Sequence, residues 1–236
     1  MKILLLFFAI SSMAVAQELP GPPSSEAHPG SKIYSYSVER KDVRCEGRDV
    51  AVFYPREMIA QELPLVVYGH GQALGVEHYE QTLRHLAGKG AIAVHPQYDK
   101  GFFDQDWQRM GQDFATLTEC ALVQLGLEAN VDEVIFSGHS KGAFVAGVAA
   151  GVAERNGSKL KARAVVLFQP AGIDEIVWAK LARETKVTVV HADQDTVVDR
   201  GIAERLYQQA PVERKQLIIL KSYGPKLEAK HFWPLT

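Results

Sequence analysis

Among the 236 residues, the run Gly138-His139-Ser140-Lys141-Gly142 carries the plainest chemical signal. A serine hydroxyl is a poor nucleophile until a neighbouring base takes its proton, so the surroundings of Ser140 decide whether it can react. Before it, Val131 to Phe136 reads as a β-strand. After it, Ala143 to Glu154 reads as a helix whose Ala143, Ala146, Gly147, Ala149, Ala150 and Gly151 permit close packing on a sheet. A serine on so tight a strand-to-helix bend takes a strained backbone, and the flanking glycines leave room for the elements pressed against it. The helix aims its first amides at the space above the hydroxyl. The competing reading makes Ser140 a helix N-cap, with glycines that only ease packing.

The elements that would position this serine follow from the rest of the pattern. Val50 to Tyr54, Leu65 to Tyr68, Ala91 to His95, Val131 to Phe136, Ala164 to Phe168, Val187 to His191 and Gln216 to Leu220 are short apolar or β-branched runs bounded by Gly and Pro. Most are apolar on both faces, as strands of a covered parallel sheet are. Between them lie helical spacings such as Tyr79, Leu83 and Leu86, or Trp107, Met110, Phe114, Leu117 and Ala121. Strand and helix alternate over most of the chain, which predicts an α/β fold with helices on both faces of a mostly parallel sheet. Lys32 to Pro55 lacks a helix and predicts an antiparallel hairpin at the sheet edge.

With the elbow and the alternation in place, the chain from Lys32 to its end resembles an α/β-hydrolase of the small serine-esterase type, similar to secreted lipase, polyester-hydrolase and chlorophyllase-like members. The resemblance implies a chain order of nucleophile, acid, histidine. The run His191-Ala192-Asp193-Gln194-Asp195 resembles that family's His-Gly-x-x-Asp pattern and implies Asp195 as the acid, with Ala192 where Gly is usual. Asp193 is the alternative, otherwise a turn residue, and Asp199 reads as a helix N-cap before Ile202 to Leu206. His231 is the one histidine after the last expected strand, and the resemblance implies that it is the base. By the same resemblance, Gly69-His70-Gly71-Gln72 is an oxyanion loop, with the backbone amides of Gln72 and Lys141 as donors and His70 structural. His139 should point away from the site. Relatives carry a further helix beyond the point where this chain ends, at Thr236.

The implied mechanism is acyl transfer: His231 deprotonates Ser140, Asp195 orients and stabilises the imidazole, and water releases the acyl group. It needs no metal or organic cofactor. His78 and His85 are seven apart without a completing carboxylate, and Gly69-His70-Gly71 lacks the third glycine of a dinucleotide loop. Phe102, Trp107 and Trp233 are the expected substrate-binding residues; Phe103 also follows the fourth strand, Phe144, Trp178 and Phe232 lie near other strand ends, and half of these aromatics could be core instead. The stretch between Phe168 and Val187 is too short for a large lid, so an open cleft for a small or polymeric acyl ester is expected. A serine peptidase or amidase would use the same triad. An inactive binding protein would have no need of all three residues.

Composition agrees with a single domain: 47% hydrophobic and 23% charged residues, with a net charge of −2. Nothing in that balance is suited to a nucleic acid or an anionic membrane. Lys2, the apolar run Ile3 to Ile10 and the small-x-small end Ala14-Val15-Ala16 have the layout of a secretory signal peptide, 1–16, cut before Gln17. The run is too short to span a bilayer. The Pro-rich residues 17–31 read as a flexible leader, and 32–236 as the hydrolase domain. A soluble, monomeric protein outside the cytoplasm, secreted or periplasmic, is expected. There Cys45 and Cys120 could form one disulfide or stay as separate buried thiols, and their spacing does not choose.

Overall fold

The computed structural model of the protein describes residues 25, 29–32, 34–58, 61–128, 131–156, 158–172, 181–223 and 228–235. The expected signal peptide and most of the expected leader lie outside the described residues, as does Trp178. Tyr34–Thr236 forms one compact unit.

The chain opens with β1 (Val38–Cys45) and β2 (Arg48–Pro55), paired antiparallel. Their two-residue turn, Glu46-Gly47, has φ of 51° and 78°. Two left-handed residues match the twist of the strands they join. Then follow β3 (Leu63–Gly69), α1 (Glu80–Gly88), β4 (Ile92–Pro96), α2 (Trp107–Leu125), β5 (Val131–His139), α3 (Lys141–Arg155), β6 (Ala162–Phe168), β7 (Lys186–Ala192), α4 (Arg200–Gln209) and β8 (Arg214–Leu220). The sheet order is β1-β2-β4-β3-β5-β6-β7-β8. β2 pairs antiparallel with β4, and every pair from β4 to β8 is parallel. This is the mostly parallel sheet with an antiparallel edge that the sequence predicts.

Two apolar layers hold the sheet. On one face, Phe114, Leu117 and Ala121 of α2, Val145 and Ala149 of α3 and Leu206 of α4 pack with Leu65, Val67, Phe136, Leu167 and Val189. On the other, Leu83 and Ala87 of α1 join Phe53, Tyr68 and Ala93. α2 is capped by Asp106, whose carboxylate accepts from the Arg109 amide, and it stops at Gly126 in the left-handed conformation, φ 66°. After β3 the chain steps outward to β4 and then returns past β3 to β5. The carboxyl ends of β3 and β5 therefore flank a crevice at the reversal point, where such sheets bind ligands. The register sets Gly69 against Gly138 there.

Cys45 and Cys120 are bonded, with Cα atoms 6.1 Å apart, and the bridge ties the edge hairpin to α2 across 75 residues of chain. A loop of that length lost from the unfolded ensemble is worth about 4 kcal/mol. Urea denaturation of the Cys45→Ser/Cys120→Ser protein is expected to show a loss near that size. Equal stability of the oxidised and doubly substituted proteins would contradict it.

Candidate active site

Ser140 bridges β5 and α3 with φ 56° and ψ −123°, a conformation that L-residues rarely hold. It is held from several directions. Its amide donates to the Phe168 carbonyl at 2.9 Å, and its carbonyl accepts from the amides of Ala143 and Ala171, each at 3.1 Å. A Cβ on Gly69 would lie 2.6 Å from the Gly142 carbonyl oxygen, one on Gly138 would lie 2.5 Å from that same oxygen, and one on Gly142 would overlap the backbone of Gly69 and His70. The elbow thus presses directly on the end of β3, which is why these three positions tolerate no side chain. The Ser140 hydroxyl makes no capping bond to α3, so the N-cap reading does not hold. It lies 3.0 Å from His231 Nε2.

His231 sits after β8 with its side chain almost wholly enclosed, and its Nδ1 lies 2.8 Å from Asp195 Oδ2. The other carboxylate oxygen, Oδ1, accepts from the amides of Val197 at 2.8 Å and Val198 at 2.9 Å. Burial, the largest influence on Asp195, pushes its pKa up, but the bonds from Val198, His231 and Val197 outweigh it and hold the carboxyl below its ordinary value. An ionised Asp195 can only accept, so His231 carries its proton on Nδ1 and turns the bare lone pair of Nε2 to the serine hydroxyl. That arrangement can pull a proton from Ser140. Asp193 does not reach His231: its carboxylate accepts from the Ser222 amide and hydroxyl. Asp199 caps α4 by accepting from the Gly201 amide.

On the β3 side, Tyr98 OH donates to the His70 carbonyl at 2.5 Å, and the His70 ring stacks on Tyr98 at 4.3 Å while bonding the Gly71 carbonyl through Nδ1. The amides of Gln72 and Lys141 have no acceptor among the described residues. The Lys141 side chain runs the other way, its Nζ 3.0 Å from Asp99 Oδ2, with both side chains buried. Gln97 Nε2 occupies the second Asp99 oxygen at 2.9 Å. The loop after β4 therefore grips both the oxyanion-loop candidate, through Tyr98, and the elbow, through Asp99. Sequence reasoning named neither Tyr98 nor Asp99; their placement directly after a strand end was the available signal.

One expectation is reversed. His139 does not point away: its Nε2 lies 2.8 Å from the His231 carbonyl oxygen, its Nδ1 lies 2.9 Å from Tyr79 OH, and its ring centroid is 4.8 Å from that of His231. The elbow residue before Ser140 faces the loop that returns after β8, so a planar donor and acceptor fits between them. Of the expected substrate-binding aromatics, Phe102 is exposed and its carbonyl accepts from the Gln72 side chain at 2.9 Å. Trp107 is half-buried against the edge of Phe144, and Trp233 lies 6.4 Å from Phe168 by ring centroids. Phe232, its ring centroid 5.0 Å from that of His231, is exposed. Among the described residues, no group of three or more His, Cys, Asp or Glu side chains could hold a metal ion, and no helix is long and apolar enough to cross a membrane.

The family model described as Chlorophyllase matches residues 30–180, more than half of the chain, which include the elbow and the loop after β3 but stop before Asp195 and His231. No curated protein sequence matches. Solved structures share the architecture at low identity. One, from a study of two fungal esterases of Rhizomucor miehei, has a TM-score of 0.66 at 16% identity and covers 84% of this chain and 77% of its own. Thermogutta terrifontis esterase 2 phosphorylated by paraoxon gives 0.60 at 18%, covering 82% and 84%. Est1E from Butyrivibrio proteoclasticus gives 0.58 at 15%, covering 82% and 90%.

The buried imidazoles around the site set its acid limit. Burial holds His95 down to about 3, and burial with the nearby His231 charge holds His139 to about 4, against an ordinary 6.5. The unfolded chain takes these protons first, so the contribution of both groups is complete above pH 6.5 and is lost as the pH falls toward the folded values. At pH 5 each has given up about 2 kcal/mol. Denaturation at pH 7 and pH 5 is expected to differ by about 4 kcal/mol or more. Replacing His95 with Asn should shrink that difference by roughly half, and a pH-independent stability over this range would contradict the assignment.

Proposed function

The chain belongs to the chlorophyllase family of esterase-like α/β-hydrolases, and from that footing we propose that it is an exported serine hydrolase of carboxylic esters that works through Ser140, His231 and Asp195. The observation that carries the proposal is the continuous path from Ser140 Oγ to His231 Nε2 at 3.0 Å and from His231 Nδ1 to Asp195 at 2.8 Å.

In the proposed cycle, Oγ attacks the ester carbonyl carbon while Nε2 takes its proton. The developing oxyanion meets the amides of Gln72 and Lys141, each donor being worth about 2.7 to 4 kcal/mol in comparable sites. His231 then returns the proton to the departing alkoxide, leaving an acyl group on Ser140. Water, deprotonated by the same imidazole, attacks the acyl carbon, and the acid leaves as the imidazole returns that proton to Ser140 Oγ. Asp195 holds the useful tautomer throughout and stabilises the imidazolium.

Substrate contact is proposed at Phe102, which the Gln72 side chain holds beside the oxyanion loop, and at Trp107 and Trp233. Small or polymeric acyl esters are the proposed substrates, with the exposed Phe102 available to them. Export is proposed from the signal-peptide layout of residues 1–16, and the Cys45–Cys120 bridge supports an oxidising compartment.

The test is a panel of acyl esters of graded chain length with one arylamide, run on the mature protein. Ester turnover is expected to exceed arylamide turnover, to fall by at least about 10³-fold in Ser140→Ala and to fall by about 10⁴-fold in Asp195→Asn. Hydrolysis that survives Ser140→Ala, or arylamide turnover above that of every ester, would overturn the proposal.

A further inference from the structure

The elbow residue His139 lies between the two loops that must both register on Ser140, and its hydrogen bonds admit only one assignment of protons. A carbonyl oxygen has no proton to give, so at the 2.8 Å contact with the His231 carbonyl it is His139 Nε2 that donates. A neutral imidazole has one N–H, which leaves Nδ1 bare to accept from Tyr79 O–H at 2.9 Å. With its own proton so committed, the Tyr79 oxygen accepts from the Gly71 amide at 2.7 Å. Every donor in this buried chain meets an acceptor, and burial raises the Tyr79 phenol well above its ordinary value, so it stays a donor.

We propose that His139 is a positioning residue: its Nε2–H tautomer links the oxyanion loop at Gly71, through Tyr79, to the backbone of His231. The inference rests on the triad reading above. His231 is thereby fixed twice, at its ring by Asp195 and at its carbonyl by His139, and the two imidazoles hold opposite tautomers. The chain also reaches Gly71, immediately before the proposed oxyanion donor Gln72, so one set of bonds sets the heights of base and oxyanion donor over the same hydroxyl. Burial and the adjacent His231 keep His139 uncharged, which spares the imidazolium formed during turnover a like charge at ring distance. His139 itself touches no reacting atom.

Four measurements test this. In ¹⁵N NMR of the wild-type protein at neutral pH, His139 is expected as the Nε2–H tautomer with a hydrogen-bonded Nδ1. Tyr79→Phe, which keeps the ring volume, and His139→Leu are each expected to lower kcat for an ester by roughly 10- to 100-fold with KM changed less than about twofold. The double variant should be no worse than the poorer single one, since both break one chain. His139→Gln, whose amide can still donate to the His231 carbonyl, should recover part of kcat. An Nδ1–H tautomer, native kcat in Tyr79→Phe, a loss confined to KM, or losses that multiply in the double variant would overturn the proposal. If Ser140→Ala abolishes hydrolysis while Tyr79→Phe is native, the relay falls and the triad stands. If hydrolysis survives Ser140→Ala, the triad falls, and the tautomer spectrum alone decides the relay.

Discussion

Backbone meets backbone where the first turn of α3 crosses the end of β3, with Gly142 against Gly69 and His70 and no space for a Cβ on either side. The rest of the site depends on that contact. It brings the loop after β3 beside Ser140, whose φ is 56°, and the first amide of α3 has no acceptor among the described residues in the crevice where the strand order reverses. A single methyl at Gly142 would have to push α3 and the end of β3 apart. The strain at Ser140 is tolerated because Phe168, Ala171 and Ala143 tie its backbone from three sides.

Charge is sorted around this contact with the same economy. Asp195 is kept ionised by its hydrogen bonds in spite of burial, while His70, His95 and His139 are kept neutral because burial penalises their cations. The buried Lys141–Asp99 pair ties the elbow to the loop after β4. Such a pair adds little net stability, but it admits one geometry, since losing either partner strands a buried charge. In the proposed mechanism His231 is the imidazole that takes up and returns the proton.

The sequence made some of this legible and hid the rest for identifiable reasons. Gly138-His139-Ser140-Lys141-Gly142 was readable because the bend demands small residues at fixed places, and the strands β3 to β7 were readable as short apolar or β-branched runs, although one face of β6 is only partly buried. β1 was visible only as part of a hairpin: Glu39, Arg40, Lys41 and Asp42 lie on an edge strand, where charge is acceptable and apolar alternation is absent. The direction of His139 was misread because its side chain is aimed by a loop 92 residues away, which no local spacing records. Asp99 and Tyr98 escaped notice for the same reason. The pairing of Cys45 with Cys120 depends on β1 lying against α2, a tertiary fact.

In the proposed mechanism the Ser140 hydroxyl is made nucleophilic by His231. The most direct test of that step is reaction with a fluorophosphonate followed by mass-spectrometric mapping of the modified residue. Labelling is expected on the peptide that carries Ser140, and is expected to vanish in His231→Ala. Label on another residue, or labelling of Ser140 at an undiminished rate without the imidazole, would contradict it.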